Sequence, residues 1–293
     1  MKKILLIGSS GFIGRNIEEY LKKKGYILDT PKTKDLDATD ENKVKEFLKN
    51  TYYDVVIHSA TDNSSIKTYK DSSKSFYNSL RMFYSFEKNK ELFGKLIYFG
   101  SGAEYDKSSD IKNVTEDEFG KTIPKDEYGF AKYIIAKDIE NSSNIYNLRL
   151  FGVFGKYEYW KSKFISNACC KVVNNIPISI RQNVYFDYLW IDDLCEIVEW
   201  FINNNPKFNT YNVTTGKRID LLTIANIVNK YNDNNLPIYV CKEGLANEYT
   251  SNNDRLLNEM GYFSFTSIEK SVKLLFDYYR QNSEDIDIYS LLY

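Results

Sequence analysis

The sequence predicts an α/β fold built on a doubly wound parallel sheet. Two observations carry this prediction. Through about residue 150, short apolar segments alternate with segments of helical periodicity, a pattern typical of parallel strands joined by right-handed helical crossovers. The chain also opens with an apolar run at 3–7, a glycine-spaced turn at 8–14 and a helical pattern that ends at Gly25.

Each element follows from a local pattern. Apolar runs predict buried strands, and amphipathic periods predict the helices between them. The strands are expected near residues 3–7, 26–30, 54–58, 95–100 and 145–150, and the helices near 12–24, 41–49, 73–91 and 128–142. After residue 155 the pattern becomes irregular and aromatic, which indicates a smaller C-terminal region of mixed α/β structure.

Three glycines follow the first predicted strand. Gly8, Gly11 and Gly14 have the spacing G-x-x-G-x-x-G. Glycines here would allow a tight turn, a close approach of the backbone to a pyrophosphate, and close packing of the helix on the strand. The following helix would hold a phosphate at its N-terminus. We predict a dinucleotide-binding turn; the alternative is a glycine-rich connection without a ligand.

A candidate catalytic group lies in the middle of the chain. Tyr128 and Lys132 are four residues apart in a predicted helix, so they project from the same face, and Ser101 follows a predicted strand. A phenol titrates near pH 10, and a nearby ammonium favours its ionised form. The three residues therefore predict a proton-transfer site for a carbonyl and alcohol pair. A Tyr–Lys pair alone is a weak signal in a chain with 25 tyrosines, so its weight comes from the preceding glycine turn.

Composition argues against several other classes. The net charge of −1 provides no basic field for nucleic acid, so the lysine-rich helices are predicted to be solvated. No apolar stretch approaches the ~18 residues that span a bilayer, and the N-terminal apolar run is too short for a signal peptide. We therefore expect a cytoplasmic protein with no membrane partner. The four cysteines have no metal-ligand spacing, which predicts no metal site, and the adjacent Cys169 and Cys170 are expected to be core thiols.

Further segments resemble, in order, those of the extended short-chain dehydrogenase/reductase family, the NAD-dependent epimerase/dehydratase group that acts on nucleotide sugars. Besides the glycine turn and the Tyr–Lys pair, they are 54–60 (DVVIHSA), 100–105 (GSGAEY), 148–155 (LRLFGVFG), 188–194 (YLWIDDL) and 211–216 (YNVTTG). The resemblance covers almost the whole chain. It implies a Rossmann-type NAD(P)-binding domain at 1–155, to which 183–217 returns, and a mixed α/β substrate-binding domain at 156–182 and 218–293.

The resemblance also implies a set of site residues. Ser101, Tyr128 and Lys132 would be catalytic, with Lys132 also holding the nicotinamide ribose. The cofactor would contact Gly8, Ser10, Gly11, Phe12, Ile13, Gly14, Lys32, Lys34, Ser59, Ala60, Tyr128 and Lys132. The nucleotide-sugar substrate would contact Ser101, Gly102, Ala103, Asn167 and Arg181. Asn167 and Arg181 are candidates because Phe186 stands where the family often has an arginine.

The form of the cofactor depends on the end of the second strand. An NAD site usually has a carboxylate about 20 residues past the glycines, where it binds the ribose 2′-hydroxyl. Here Lys32 stands at that place, with Lys34 close by, and a 2′-phosphate needs cations. NADP(H) is therefore predicted over NAD(H). Asp29 would oppose this preference if its carboxylate reached the ribose, and the two lysines could also be ordinary surface residues.

The residues after Ser101 discriminate between the reactions of this family. Its 4,6-dehydratases have an Asp–Glu pair where this chain has Gly102 and Ala103, which cannot transfer a proton. Glu104 is a poor substitute because adjacent side chains point in different directions. Enzymes similar to GDP-fucose synthase use a cysteine at the place of Ala103 and a histidine after the sixth strand. The single histidine, His58, is instead predicted to be a buried core residue.

The resemblance therefore implies a 4-ketoreductase, similar to the GDP-fucose synthase and CDP-abequose synthase reductases. It would use NADPH to reduce the 4-keto group of a nucleotide-linked 4-keto-6-deoxy sugar, in activated-sugar biosynthesis for surface polysaccharide. The alternative is a nucleotide-sugar 4-epimerase with tightly bound NAD, which uses the same Ser, Tyr and Lys. A member that only binds NAD(P) as a sensor or scaffold is a third hypothesis, although a pure binder has no need of the phenol.

The resemblance further implies a homodimer formed through the helices near 73–91 and 128–142. The first helix carries apolar residues at helical spacing, namely Phe76, Leu80, Phe83 and Tyr84. Tyr77, Met82 and Phe86 are expected to add apolar surface beyond one face, available to a second copy of the chain.

Overall fold

A six-stranded parallel sheet forms the centre of the molecule in a computed structural model that describes residues 2–62, 72–232 and 234–292. The strands of the chain are β1 (Lys3–Ile7), β2 (Ile27–Asp29), β3 (Tyr53–His58), β4 (Phe93–Ser101), β5 (Ile111–Val114), β6 (Ile145–Leu150), β7 (Gly152–Phe154), β8 (Ile178–Asn183), β9 (Tyr185–Trp190), β10 (Thr210–Val213), β11 (Arg218–Asp220), β12 (Ile238–Leu245) and β13 (Tyr249–Ser251). The central sheet has the order β10-β6-β4-β3-β1-β2, and every pair in it is parallel. The predicted α/β fold with a parallel sheet is confirmed.

Helices cover both faces of this sheet, and others pack on one another in the C-terminal region. The helices of the described ranges are α1 (Phe12–Lys23), α2 (Glu41–Asn50), α3 (Ser72–Glu87), α4 (Glu127–Ile139), α5 (Phe164–Val173), α6 (Ile191–Asn203), α7 (Leu221–Asn229), α8 (Asp254–Met260) and α9 (Ile268–Gln281). Because side chains alternate along a strand, Ile4 and Leu6 pack with α1 and α6, whereas Leu5 and Ile7 pack with α2, α3 and α4. None of the helices in these described ranges is long and apolar enough to cross a membrane.

The order of the strands locates the crevice. From β1 the chain passes to β2 on one side, and then crosses back to β3 on the other side of β1. This reversal is a topological switch point, and ligands of such sheets bind outside the carboxyl ends of the strands there. The glycine turn follows β1, and Ser59 and Ala60 follow β3, so both segments border this crevice.

A second sheet, in the order β11-β9-β13-β5 with β7 paired to β9, lies beyond the carboxyl end of the central strands. It joins segments that are distant in sequence, because β5 precedes the Tyr–Lys helix and β13 lies near the end of the chain. The segment 183–217 contributes β10 to the central sheet and β9 to the second one. The remaining strands, β8 and β12, form a separate parallel pair. Cys169 and Cys170 are buried, as expected, and so is Cys195, whereas Cys241 on β12 is exposed.

The outward face of α3 is less apolar than its sequence predicts. Tyr77 is 59 % exposed, but Met82 and Phe86 are buried, so the expectation that they add surface for a partner is wrong. Both belong to the hydrophobic cluster that fills the space between the helices and the sheet. A helix packed against the sheet and two neighbouring helices buries more than one stripe of its surface. Phe130 on α4 is 38 % exposed and stacks on Phe76, which leaves a small apolar surface across the two helices.

Candidate active site

The glycine turn has the geometry that its spacing predicts. Gly8 has a φ of +86°, and a Cβ on it would lie 2.5 Å from the backbone nitrogen of Ala60. A Cβ on Gly14 would lie 2.2 Å from the carbonyl oxygen of Gly8. These two glycines are therefore required by the packing of the chain on itself. Gly11 differs, because a Cβ there would meet only the Gly8 oxygen, at 3.4 Å, so the fold itself leaves space beside Gly11.

The N-terminus of α1 fits an anionic ligand. Gly11 is its N-cap residue and forms no side-chain cap, and its first turn carries no acidic residue. Uncapped N–H groups and the helix dipole favour negative charge at this position. Together with the space beside Gly11, the turn fits the pyrophosphate of a nicotinamide dinucleotide. Of the other predicted contacts, Ser10 is exposed, whereas Phe12 and Ile13 are half-buried.

Ser101 is held rigidly at the end of β4. It caps a short 3-10 helix, Gly102–Tyr105, and its Oγ accepts a hydrogen bond from the backbone nitrogen of Ala103 at 3.2 Å. Its own backbone nitrogen donates to Glu104 Oε1 at 2.9 Å, which completes a capping box. Only 8 % of Ser101 is exposed. The hydroxyl is therefore fixed before any substrate binds.

The Tyr–Lys helix α4 packs directly against this serine segment. Asp126 caps the helix by accepting a hydrogen bond from the backbone nitrogen of Gly129 at 2.9 Å. A Cβ on Gly129 would lie 2.8 Å from the carbonyl oxygen of Ala103, so glycine permits the close contact. The helix thereby brings Tyr128 to Ser101, and it places Lys132 Nζ 6.0 Å from the centre of the Tyr128 ring.

Lys132 is buried beneath the phenol and is anchored to β4. Its Nζ donates hydrogen bonds to the Tyr98 hydroxyl at 2.8 Å and to the carbonyl oxygen of Phe99 at 2.7 Å. Burial lowers the pKa of Lys132 to about 8, and the Coulombic attraction of Glu104 opposes this fall. The side chain thus keeps a fixed position and is mostly charged near neutral pH.

Opposing influences act on the pKa of Tyr128. Burial raises the pKa of the phenol above its ordinary value, the charges of Glu104 and Asp126 raise it further, and the hydrogen bond with Ser101 lowers it. The residue is 46 % exposed, so its ring is accessible to a bound molecule. Tyr128 is therefore protonated near neutral pH and is placed to give its proton to a bound molecule.

Glu104 points away from this site into a buried network. Its Oε2 accepts from Arg149 Nε at 2.5 Å, and both side chains are almost fully buried. Arg149 Nη1 also donates to the Tyr105 hydroxyl at 2.6 Å, and Asn147 Nδ2 donates to Glu104 Oε2 at 3.2 Å. Both carboxylate oxygens of Glu104 are therefore hydrogen-bonded, one of them to the Ser101 backbone, and neither is available for proton transfer at Ser101.

His58 is a core residue, as its place on the strand predicts. It is 2 % exposed, and its ring packs against Phe86 and Tyr98 with centroids 5.6 Å apart in each case. Burial, reinforced by the charge of Lys132, lowers the pKa of His58 to about 4. The imidazole is therefore neutral near pH 7. Neither ring nitrogen has a hydrogen-bond partner among the described parts of the chain.

The region where the adenosine ribose would bind has two exposed lysines, and the carboxylate at the strand end is paired through one oxygen. Asp29 is the last residue of β2, and its Oδ2 accepts from the Tyr53 hydroxyl at 2.7 Å and lies 3.4 Å from Lys3 Nζ. Lys32 and Lys34 are exposed in the following loop, and within residues 2–62, 72–232 and 234–292 neither forms an ion pair.

The two predicted substrate contacts outside the serine segment do not join the catalytic group. Arg181 is exposed on β8, and Asn167 is half-buried on α5. Neither contacts Ser101, Tyr128 or Lys132. The Phe186 side chain, at the place of the family's arginine, packs against other aromatic rings, including Tyr249 at a centroid distance of 5.7 Å and Tyr188 at 5.3 Å.

Tyr249 is a site residue that the sequence did not reveal. It lies on β13, 148 positions after Ser101, and its hydroxyl is 3.5 Å from Ser101 Oγ. The residue is only 9 % exposed. Nothing in the local sequence distinguishes it from the other tyrosines, because its proximity to the serine depends on the pairing of β13 with β5 and β9.

Comparison with known proteins agrees with this geometry. Residues 4–214 match the family model described as the NAD dependent epimerase/dehydratase family. The chain belongs to this family. It is 24 % identical to the GDP-L-colitose synthase of Yersinia pseudotuberculosis, over an alignment that covers 94 % of this chain and 97 % of that protein.

Solved structures of this family share the fold over nearly the full length. UDP-glucose 4-epimerase from Thermotoga maritima, determined with UDP-glucose, superposes with a TM-score of 0.78 at 18 % identity and covers 96 % of this chain and 99 % of its own. GDP-mannoheptose C4 reductase from Campylobacter jejuni, with NADP bound, has a TM-score of 0.78 at 17 % identity, covering 95 % of this chain and 98 % of its own. Reductases and epimerases therefore share this architecture.

Proposed function

We propose that this protein reduces the 4-keto group of a nucleotide-linked 4-keto-6-deoxy sugar, with NADPH as reductant. The observation that carries the proposal is the exposure of Tyr128, which is 46 % exposed, whereas Lys132, Glu104 and Tyr249 beside it are buried. Tyr128 meets Ser101, with Lys132 below the ring. The neighbouring Gly102 and Ala103 have no titratable group, and Glu104 is held in its ion pair with Arg149. Such a site can protonate one oxygen but lacks a second acid or base for elimination.

The chain's own residues would perform three tasks in this reaction. A bound nicotinamide dinucleotide supplies the hydride for the carbonyl carbon. Tyr128 gives its proton to the carbonyl oxygen as negative charge develops there. Ser101 donates a hydrogen bond to the same oxygen, which stabilises the transition state more than the ground state because the oxygen is more negative in it. Lys132 favours the tyrosinate left after the transfer.

The similarity to GDP-L-colitose synthase and to GDP-mannoheptose C4 reductase supports a nucleotide sugar as substrate and reduction as the reaction. A panel of 4-keto-6-deoxy sugar nucleotides with different bases, incubated with NADPH, tests the proposal. We expect loss of NADPH absorbance with at least one 4-keto substrate and none with its 4-hydroxy counterpart. Absence of oxidation of either NADPH or NADH across the panel would overturn the proposed function.

A nucleotide-sugar 4-epimerase is the second candidate, favoured by the fold similarity to UDP-glucose 4-epimerase. An epimerase oxidises and re-reduces its substrate in one site, so it keeps its nicotinamide through the cycle, whereas a reductase must release it. The absorbance of the purified protein distinguishes them. Nicotinamide retained through purification supports the epimerase, and a cofactor-free protein that consumes added NADPH supports the reductase.

We expect NADPH to bind more tightly than NADH, with Lys32 as a main source of the preference. Lys32 and Lys34 are exposed and lack ion pairs within the described ranges, and Asp29 is engaged by Tyr53 and Lys3. Lys32→Asp should weaken NADPH binding and leave NADH binding nearly unchanged. The preference should also shrink with added salt, because exposed charges are screened beyond about 8–10 Å at physiological ionic strength. Isothermal titration calorimetry with each cofactor measures both effects.

Lys112→Asp is the matched control for Lys32→Asp. Lys112 is exposed on β5 in the second sheet, so the change alters net charge equally without touching the loop after β2. It should leave the ratio of the two dissociation constants unchanged. Tighter binding of NADH than of NADPH by the unmodified protein would contradict the predicted preference. It would favour the nucleotide-sugar 4-epimerase over the reductase.

We also propose that the protein is a homodimer formed through α3 and α4. The support is the small apolar surface with Tyr77 and the stacked Phe76 and Phe130. Light scattering at micromolar concentration should give about twice the 34.3 kDa mass of the chain. Tyr77→Glu should then lower the measured mass, because it places a charge in the apolar contact. A mass of one chain for the unmodified protein would refute the dimer.

A further inference from the structure

The hydroxyl of Tyr249 approaches Ser101 from the side of the second sheet. Ser101 Oγ and the Tyr249 hydroxyl are 3.5 Å apart, and both residues are buried. The ring is held by Phe151 and Phe186, whose centroids lie 4.9 Å and 5.7 Å from its own. The phenol therefore has a fixed position, set by aromatic packing that is independent of α4.

Gly102 permits this approach. A Cβ at Gly102 would lie 2.7 Å from the Tyr249 hydroxyl and 2.5 Å from a ring carbon of Phe151. Its backbone does not have a positive φ, so the conformation of the chain alone does not demand glycine. The requirement comes from the space that Tyr249 and Phe151 occupy. Because Gly102 has no side chain, the phenol of Tyr249 on β13 can lie next to Ser101.

The hydrogen-bond capacity of Ser101 sets the direction of its proton. A serine hydroxyl has one donor and two acceptor positions. One acceptor position is filled by the Ala103 backbone nitrogen at 3.2 Å. If the Tyr249 hydroxyl donates a hydrogen bond to the second acceptor position of Ser101 Oγ, the Ser101 hydroxyl proton can point only toward Tyr128 and the oxygen of a bound carbonyl.

We propose that Tyr249 is a positioning residue, which donates to Ser101 and thereby directs the serine proton at the reacting oxygen. The second sheet, through Tyr249 on β13, would then complete the catalytic group that the central sheet and α4 form. This inference rests on the proposed function for the identity of the substrate, but the hydrogen-bond arrangement does not depend on which sugar binds.

A double-mutant cycle tests whether Tyr249 acts through Ser101. Tyr249→Phe retains the ring and removes the hydroxyl, and we expect it to lower kcat about tenfold, the effect of one well-placed hydrogen bond, with little change in KM. In a Ser101→Ala background the same change should have almost no further effect, because the hydroxyl that it orients is gone. Equal effects of Tyr249→Phe in both backgrounds would overturn the positioning role.

Tyr188→Phe is the matched control for Tyr249→Phe. It removes one hydroxyl from a ring that also packs on Phe186, and Tyr188 has no contact with Ser101. We expect kcat close to that of the unmodified enzyme. Melting temperatures of the variants separate a catalytic loss from a folding defect. A loss of kcat in Tyr188→Phe equal to that in Tyr249→Phe would refute a specific role for Tyr249.

A second measurement needs no sugar substrate. In protein labelled with 13C at tyrosine Cζ, the Tyr128 resonance is assigned by its loss in Tyr128→Phe and followed with pH. The hydrogen bond with Ser101 lowers the pKa of Tyr128, so a serine proton that is no longer directed there should raise it. The charged and titratable groups facing Tyr128 within the described ranges are Tyr98, Glu104, Lys107, Asp126, Lys132 and Tyr249.

This titration distinguishes failure of the inference from failure of the proposed function. Tyr249→Phe should raise the pKa of Tyr128, whereas Tyr188→Phe should leave it unchanged. An unaltered Tyr128 titration in Tyr249→Phe would overturn the inference even if 4-keto sugars are reduced. A raised Tyr128 pKa supports the inference even if the sugar panel gives no turnover.

Discussion

Replacement of Tyr128 by phenylalanine is expected to lower turnover about 10²- to 10⁴-fold, the usual contribution of a positioned acid. The ring and helix α4 would remain in place, because Asp126 and Gly129 set the start of the helix and Lys132 is anchored to β4. Cofactor affinity should therefore change little. Steady-state kinetics gives the loss of kcat, and a fluorescence titration gives the Kd for NADPH.

Tyr133→Phe on the same helix is the control for this experiment. Tyr133 packs its ring on Phe119 with centroids 5.0 Å apart and is outside the Ser101 group. It should retain near-normal turnover. A Tyr128→Phe variant with turnover similar to that of Tyr133→Phe would exclude the Tyr128 phenol as the proton donor.

Removal of Glu104 is expected to give the largest loss of stability among single changes near the site. Glu104→Ala leaves the guanidinium of Arg149 buried without its carboxylate, and breaking a buried pair in this way costs about 3–5 kcal/mol. The change also removes the acceptor of the Ser101 backbone nitrogen. The free energy of unfolding, measured by denaturant titration, should fall by this amount.

An exposed ion pair in the same part of the chain provides the comparison for Glu104→Ala. Glu140 pairs with Lys137 at 2.8 Å, with side chains 40 % and 57 % exposed. Glu140→Ala should change the free energy of unfolding by less than about 1 kcal/mol, because solvent weakens such pairs. Losses of similar size in both variants would contradict the structural role assigned to the Glu104–Arg149 pair.

The proximity of Ser101, Tyr128 and Lys132 was predictable because each of these residues has a local signal. Tyr128 and Lys132 lie one helical turn apart, which places both on the same face irrespective of the rest of the fold. Ser101 and the glycine turn each follow an apolar strand, and parallel strands bring their carboxyl ends to one edge of the sheet. The strands and helices predicted before residue 150 are all present, but β5 (Ile111–Val114) was not predicted, and two predicted helices, 73–91 and 128–142, end earlier in the structure, at Glu87 and Ile139.

The outward surfaces and the second sheet were not predictable in this way. Met82 and Phe86 were expected on the surface of α3, but tertiary packing encloses this helix on more than one side. The direction of the Asp29 carboxylate depends on Tyr53, which comes from β3, on the far side of β1 from the strand that carries Asp29. Helical or strand periodicity specifies which face a residue occupies, but it does not specify what covers that face.

The sequence by itself therefore indicated the parallel sheet, the glycine turn and the positions of Ser101, Tyr128 and Lys132, because each follows from a local pattern of strand, turn or helix. The tertiary structure alone brought Tyr249 to Ser101 and buried Glu104 against Arg149. These contacts join residues 148 and 45 positions apart, respectively. Their formation depends on how whole strands pair and pack, and a local sequence pattern does not predict the pairing of distant strands.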